Sequence, residues 1–122
     1  MAVGLNPPEN LLPVAGLKLG VHAAKLRYHN RPDLVLIELP ENCSTAAVFT
    51  RNRFAAAPVI VARRNLQQAN TRALLINAGQ ANAGTGSAGL EVAEQSCEMV
   101  AQELGCTAEA VLPFSTGVIG SA

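Results

Sequence analysis

The chain has 122 residues, of which 49% are hydrophobic and 3% aromatic, and its nine Lys and Arg residues balance nine Asp and Glu residues. A chain of this size and hydrophobicity is long enough for one domain with a real core, burying roughly two-thirds of its unfolded surface, which excludes intrinsic disorder. The neutral charge and the scarcity of aromatic side chains argue against a nucleic-acid-binding protein, because both an attractive field and stacking platforms are lacking.

The three cysteines, Cys43, Cys97 and Cys106, include no C-x-x-C pair. Their odd number and their spacing predict neither a disulfide framework nor a metal site, and they fit reduced thiols. The first twelve residues have no basic region before an apolar run, and no apolar run approaches ~18 residues. We therefore expect a cytoplasmic protein without signal peptide, membrane segment or bound metal.

The first part of the chain predicts strands after an irregular lead-in. Residues 1–15 contain three prolines and predict no regular structure, so the α/β core is expected over residues 16–122. Loose alternation of apolar side chains predicts a first strand over residues 16–26, and residues 34–39 predict a second strand. A third strand is expected over residues 43–50, paired with the second strand as a hairpin.

The middle of the chain predicts two helices around one strand. A helix is expected over residues 55–68, with Pro58 in the first turn, where its missing N–H is tolerated. An apolar run over residues 71–76 predicts a strand buried on both faces. The longest helix is expected over residues 87–104, and Gly105 suits the left-handed position that ends many helices. The apolar face of that helix consists of Ala93, Cys97, Val100, Ala101 and Leu104.

Residues 111–114 predict a last strand that leads into Ser115-Thr116-Gly117. Since glycine tolerates positive φ, we predict a turn at Gly117 that aims the consecutive amides of Thr116 and Gly117 at one point, with the Thr116 hydroxyl as a third donor. Convergent donors of this kind stabilise an oxyanion. The alternative is a strand that ends in an ordinary turn. Taken together, the elements predict a mixed α/β fold whose sheet is not all parallel.

A second glycine motif points to a different function. The run from Gly84 to Gly89 matches G-x-G-x-x-G at the mouth of the longest predicted helix, where a dinucleotide phosphate can bind. However, seven residues separate the preceding strand from Gly84, that strand is not expected to open a βαβ unit, and no later strand ends in a ribose-binding acid. We expect a tight helix entry packed against neighbouring backbone, and a non-catalytic nucleotide-binding module remains the alternative function.

No residue of the chain fits the role of a nucleophile. His22 and His29 lie early in the sequence, and Ser115 is not part of a G-x-S-x-G elbow. Cys43 has no neighbour in sequence that would activate a thiol, and Cys97 and Cys106 fit a core position and a helix end.

Three segments together resemble one enzyme family. They are the run from Ser44 to Asn52 with Ala56-Ala57-Pro58-Val59, the amide-rich run from Asn77 to Gly86, and the run from Ser115 to Gly120. In this order and spacing, and with Pro13-Val14-Ala15-Gly16 before them, they are similar to the N-terminal part of the α chain in the ornithine acetyltransferase family. These are the glutamate N-acetyltransferases of arginine biosynthesis. The resemblance covers nearly the whole chain from Pro13 onward and implies a layered α/β sandwich of that family's type.

The resemblance also implies a mechanism. Members of the family are made as one precursor that cuts itself before a threonine, and the freed threonine, with its own amino group as base, becomes the nucleophile of the β chain. It takes acetyl from N-acetylornithine and passes it to glutamate, without a cofactor, although some members also accept acetyl-CoA. The family's Thr-Gly pair matches Thr116 and Gly117, which implies that these two residues stabilise the oxyanion.

The resemblance further implies that residues 1–122 are the N-terminal portion of an α chain, without the self-cleavage site and the β chain. We therefore expect this chain to be inactive alone, and to work with a β chain in an α2β2 heterotetramer. Its expected ligands are N-acetylornithine and glutamate, whereas no nucleic acid or membrane is expected, and no substrate-binding residue is assigned. An isolated chain should expose Val118 and Ile119 and associate through them.

Overall fold

Four strands make one mixed sheet in the computed structural model, which describes residues 6, 10–23 and 32–121. The elements in chain order are β1 Lys18–His22, β2 Leu34–Glu38, α1 Ala57–Gln68, β3 Ala73–Gln80, α2 Gly86–Leu104, a 3₁₀ turn Ala108–Ala110, and β4 Val111–Val118. The strands lie in the order β1-β2-β3-β4. β1 and β3 both run antiparallel to β2, whereas β4 runs parallel to β3. The predicted mixed α/β class is confirmed.

One face of the sheet carries the core and the helices. Paired residues of neighbouring strands share a face, so Leu36, Leu75 and Pro113 point to the same side. The core cluster on this side is built mainly from small side chains of both helices and of β3 and β4: Ala57, Val61, Ala73, Ala93, Cys97, Ala101 and Val111. Because these side chains are short, both helices lie close to the sheet and to each other.

Both predicted helices are confirmed, although α1 begins two residues later than predicted and α2 begins one residue earlier. Pro58 lies in the first turn of α1, as expected. α2 ends at Leu104, and Gly105 follows it with φ 70°, while its amide donates to the carbonyl of Ala101. That bond satisfies one of the last carbonyls of the helix, so the sequence signal for its end corresponds to a real cap.

The predicted strand over residues 43–50 is wrong, and so is its hairpin with the second strand. Those residues have no regular secondary structure. β2 pairs with β1 on one edge and with β3 on the other, so it has no edge left for a further strand. The expected first strand also reached into residues 24–26, which lie outside the described residues. The strand expected over residues 71–76 is observed, but most of its side chains are only partly buried.

A buried asparagine joins α1 to the start of β4. The side chain of Asn65 is 1% exposed. Its Nδ2 donates to the carbonyl of Val111 at 2.9 Å and to that of Ala108 at 3.4 Å. The Cys97 thiol donates to the same Val111 carbonyl at 3.5 Å. Since a buried carbonyl without a partner is costly, these bonds fix where β4 begins.

Neither helix of the described part of the chain combines the length and the apolarity that crossing a bilayer requires.

Replacing Asn65 by Ala should lower the free energy of unfolding by about 1–3 kcal/mol, because the Val111 and Ala108 carbonyls lose a buried donor. Urea denaturation measures this change. Gln67→Ala is the matched control, since Gln67 is an exposed residue of the same helix. An equal, small effect of both substitutions would contradict the role of Asn65.

Burial raises the pKa of the Cys97 thiol from 9.0 to about 11, because a thiolate would lose its hydration there. The stability that the neutral thiol contributes is therefore fully present below pH 9 and is lost as the pH rises toward about 11. The difference in unfolding free energy between the wild type and Cys97→Ala should narrow over that range, by up to about 2 kcal/mol. Urea titrations at several pH values measure this difference, and a difference that stays constant from pH 9 to about 11 would contradict the burial of a neutral thiol.

Candidate functional site

The candidate site lies where β3 and β4 end side by side. Since the two strands are parallel, their carboxyl ends meet at one edge of the sheet, the position where α/β proteins commonly bind ligands. Asn77–Gln80 of β3 pair there with Ser115–Val118 of β4. This edge contains both residues that the sequence singled out, Thr116 and Gly117.

The predicted turn at Gly117 is wrong, because β4 continues through Val118. The carbonyl of Ala110 accepts a hydrogen bond from the Arg72 amide, and the carbonyl of Val118 accepts one from the Ala81 amide. Every second residue of a parallel strand directs its amide and carbonyl to the same neighbouring strand. Thr116 is an even number of residues away from both Ala110 and Val118, so its amide and carbonyl also point toward β3.

The Gly117 amide points the other way. In a trans peptide the N–H lies opposite the preceding carbonyl, so the carbonyl of Thr116 faces β3 and the N–H of Gly117 faces the far edge of β4. No described strand pairs with β4 on that edge. The backbone nitrogen of Pro113 also faces this unpaired edge, which suits a residue that has no N–H to donate. The amides of Thr116 and Gly117 therefore point in opposite directions. Of the two main-chain donors that were expected, only the Gly117 amide remains.

The Thr116 hydroxyl remains available as a second donor. Thr116 is exposed, and the alternation of side chains places it on the sheet face opposite the core, with Phe114 and Val118. One side-chain donor and one main-chain donor thus occur on adjacent residues at an open strand end. An oxyanion needs donors of this kind, oriented before the reaction begins.

Gly117 is held against the backbone of β3. Gly117 has φ 126° and its register partner Gly79 has φ 114°. A Cβ atom built on Gly117 would lie 2.3 Å from the carbonyl carbon of Gly79 and 2.7 Å from the amide nitrogen of Gln80. Only glycine fits such an approach, so the backbone packs closely at Gly117 although the predicted turn is absent.

Two polar side chains to which the sequence alone assigned no role lie beside this pair. The Ser115 hydroxyl donates to Oδ1 of Asn77, whose Nδ2 donates to the carbonyl of Gln80 at 3.1 Å. Both side chains line a cleft of about 300 Å³ between the sheet and α2. The only sequence signal for them was their presence in the motifs of the family resemblance, since 38 residues separate them along the chain.

The glycine motif from Gly84 to Gly89 packs against its own loop. β3, α2 and β4 form a parallel βαβ unit, so the expectation that the preceding strand would not open one is wrong. A Cβ atom on Gly89 would nevertheless lie 2.4 Å from Oδ1 of Asn82 and closer still to Oγ1 of Thr85. Asn82 is buried, and its Nδ2 donates to the Gly89 carbonyl at 2.9 Å. These contacts give Gly89 a packing role and do not favour a nucleotide site.

The described residues offer no group of three or more His, Cys, Asp or Glu side chains that could hold a metal. Cys97 is a poor nucleophile because its raised pKa keeps the thiol protonated near neutral pH.

Comparison with known proteins identifies the family. Residues 18–122 match the ArgJ family, so the chain belongs to the ArgJ family. It is 56% identical over 110 residues to the arginine biosynthesis bifunctional protein ArgJ of Methylococcus capsulatus, a match that covers 90% of this chain and 27% of that protein. It is 51% identical over 120 residues to the protein of the same name from Pseudomonas syringae pv. tomato, covering 98% of this chain and 29% of that protein.

Solved structures of relatives have the same fold. Ornithine acetyltransferase from Mycobacterium tuberculosis, solved in complex with ornithine, matches with a TM-score of 0.83 and 35% identity, over 88% of this chain and 58% of that one. The arginine biosynthesis bifunctional protein ArgJ of Bacillus halodurans matches with a TM-score of 0.79 and 34% identity, over 88% and 56% of the two chains. The predicted family and its type of α/β fold are confirmed, for a chain that spans less than a third of the curated relatives' length.

Replacing Gly117 by Ala should destabilise the protein by about 1–3 kcal/mol, because the new methyl group overlaps the backbone of Gly79 and Gln80. The positive φ of Gly117 adds strain for any residue with a side chain. Gly20→Ala is the control, since Gly20 lies in β1 and a methyl group added there would have no atom within 4 Å. Thermal unfolding of both variants measures the difference, and a Gly117 variant as stable as the Gly20 variant would contradict the observed packing.

Proposed function

We propose that this chain supplies the oxyanion-stabilising residues of an acetyltransferase that moves acetyl from N-acetylornithine to glutamate. The proposal rests on one observation, the Gly117 amide that faces away from β3 beside the exposed Thr116 hydroxyl. Membership of the ArgJ family and the likeness to a structure called ornithine acetyltransferase support the choice of reaction.

The reaction we propose has two symmetrical halves. A threonine of the β chain attacks the acetyl carbonyl of N-acetylornithine, and its hydroxyl proton passes to its own amino group. The carbonyl oxygen becomes an oxyanion, which accepts hydrogen bonds from the Thr116 hydroxyl and the Gly117 amide. Collapse breaks the C–N bond, and ornithine leaves after its nitrogen regains a proton. The amino group of glutamate then attacks the acetyl-threonine and gives up a proton, and the same two donors stabilise the second oxyanion. Its collapse breaks the C–O bond, which releases N-acetylglutamate and returns a proton to the threonine hydroxyl.

Both donors suit this task for physical reasons. The Gly117 amide is held by a backbone that cannot shift without moving against Gly79, so it needs little reorganisation when charge develops. The Thr116 hydroxyl can rotate to follow the oxygen as it moves from the carbonyl to the tetrahedral position. The proposal requires no cofactor, and acetyl-CoA enters it as an alternative acetyl donor.

We further propose that the rest of the polypeptide, including the β chain, covers the sheet face on which Thr116 lies. Four apolar residues of this face are exposed, Leu19 69%, Val21 60%, Phe114 41% and Val118 39%, whereas Leu112 of the same face is 2% exposed. Exposed apolar side chains grouped on one face often mark a surface that another segment covers. The curated relatives are more than three times longer than the matched region, which leaves ample chain to cover it. An α2β2 heterotetramer in the cytoplasm is the assembly we propose.

In the complete acetyltransferase, Thr116→Val should lower kcat by about 10²–10³-fold with little change in KM, because the lost hydrogen bond strengthens in the transition state. Thr116→Ser keeps the hydroxyl and should retain most of the activity. Thr107→Val, at an exposed threonine ahead of the 3₁₀ turn, is the control for a general effect of the substitution.

Steady-state kinetics with N-acetylornithine and glutamate measure these changes. A rise in KM at constant kcat would show that Thr116 binds substrate instead of stabilising the oxyanion. Equal activity of Thr116→Val and Thr116→Ser would show that the Thr116 hydroxyl takes no part in the reaction.

A further inference from the structure

A side-chain link joins β3 and β4 one residue before Thr116. Asn77 and Ser115 are register partners in the parallel sheet, and the Ser115 hydroxyl donates to Oδ1 of Asn77. Among the described residues, this is the side-chain hydrogen bond between β3 and β4 that lies nearest to Thr116 and Gly117, the proposed oxyanion donors.

The link extends along β3 beyond the glycine pair. Nδ2 of Asn77 donates to the carbonyl of Gln80, three residues further along the strand. The side-chain amide of Asn77 therefore accepts a hydrogen bond from β4 through its oxygen and donates one to the end of β3 through its nitrogen. Because both ends of this amide have protein partners, its chemistry fits a residue that positions the backbone rather than one that binds substrate.

The backbone near the link is also held by main-chain bonds, such as that from the Ala81 amide to the Val118 carbonyl, and by the packing of Gly117 against Gly79. Two steps along from Asn77 and Ser115, the register pair is Gly79 with Gly117, and both glycines have positive φ. Glycine has no side chain to hold a strand in register and loses the most conformational freedom on ordering. A side-chain bond shortly before such a pair restricts how far the end of β4 can shift.

We propose that Asn77 and Ser115 are positioning residues, which hold the end of β4 so that the Thr116 hydroxyl and the Gly117 amide meet the oxyanion. This inference rests on the proposed function of Thr116 and Gly117. Successive side chains of β4 point to opposite faces of the sheet, so the positioning residue and the oxyanion donor lie on different faces. Ser115 points into the cleft beside α2, whereas Thr116 points to the opposite face of the sheet. The link therefore acts through the backbone and leaves the reacting atoms untouched.

The test uses the complete acetyltransferase with Ser115→Ala and Ser115→Thr. Ser115→Ala should lower kcat by about tenfold at nearly constant KM, because a shift of ~1 Å in a catalytic group can cost ~10²-fold in rate. Ser115→Thr keeps the hydroxyl and should restore most of kcat. Ser96→Ala is the matched control, since Ser96 lines the same cleft but donates to the Val92 carbonyl within α2.

A double-mutant cycle separates positioning from general stability. If Ser115 acts by placing the Thr116 hydroxyl, Ser115→Ala should reduce kcat less in a Thr116→Val background than in the wild type. The same fold reduction in both backgrounds would overturn the inference, as would a Ser115→Ala enzyme with unchanged kcat. So would a Ser115→Thr enzyme as slow as Ser115→Ala.

The outcomes also separate this inference from the function on which it rests. If Thr116→Val alone leaves kcat unchanged, the proposed oxyanion role fails, whatever Ser115 does. If Thr116→Val lowers kcat as expected while Ser115→Ala behaves like Ser96→Ala, only the positioning role fails. Thermal unfolding of each variant, run in parallel, confirms that the enzymes compared are folded.

Discussion

The parallel pairing of β3 with β4 is the constraint on which the rest of the structure depends. A parallel pair needs a long connection between its strands, and here α2 and the 3₁₀ turn provide it. Ala73 and Val111, the first register pair, are both fully buried beneath the helices. Their burial fixes the register at one end of the pair, and the contact of Gly117 with Gly79 fixes it at the other. The candidate site lies at that second end.

Strand geometry decides what kind of oxyanion site this edge can offer. Successive amides of a strand point to opposite sides, so Thr116 and Gly117 cannot both direct main-chain hydrogens to one oxygen while β4 continues through Val118. The remaining combination is a hydroxyl from one residue and an amide from the next. A threonine is needed in that arrangement for its side chain, whereas in a turn with two converging amides its identity would matter less. The proposed oxyanion role thus gives a reason for the residue type as well as for its position.

The sequence predicted the elements whose signals are local and missed the features that depend on distant pairing. Both helices follow from apolar periodicity with Pro58 and Gly105 at their ends, and they are observed where expected. The strand over residues 43–50 failed because a local pattern does not show whether a sheet edge is available. The turn at Gly117 failed because positive φ also fits a strand whose partner is another glycine, Gly79, far away along the chain. The resemblance to a family selected Thr116 and Gly117, but it carried no information about where their amides point.

Successive side chains of β4 point to opposite faces of the sheet, so neighbouring residues of the site have different surroundings. Val111, Pro113 and Ser115 point toward the helices, where they fill the core or line the cleft beside α2. Thr116 points to the face that the described helices leave open. A donor on the helix side would instead lie in the cleft beside α2. The same two-residue period that builds the core therefore leaves the proposed donor accessible to the rest of the polypeptide, while its neighbour Ser115 stays inside and is bonded to Asn77.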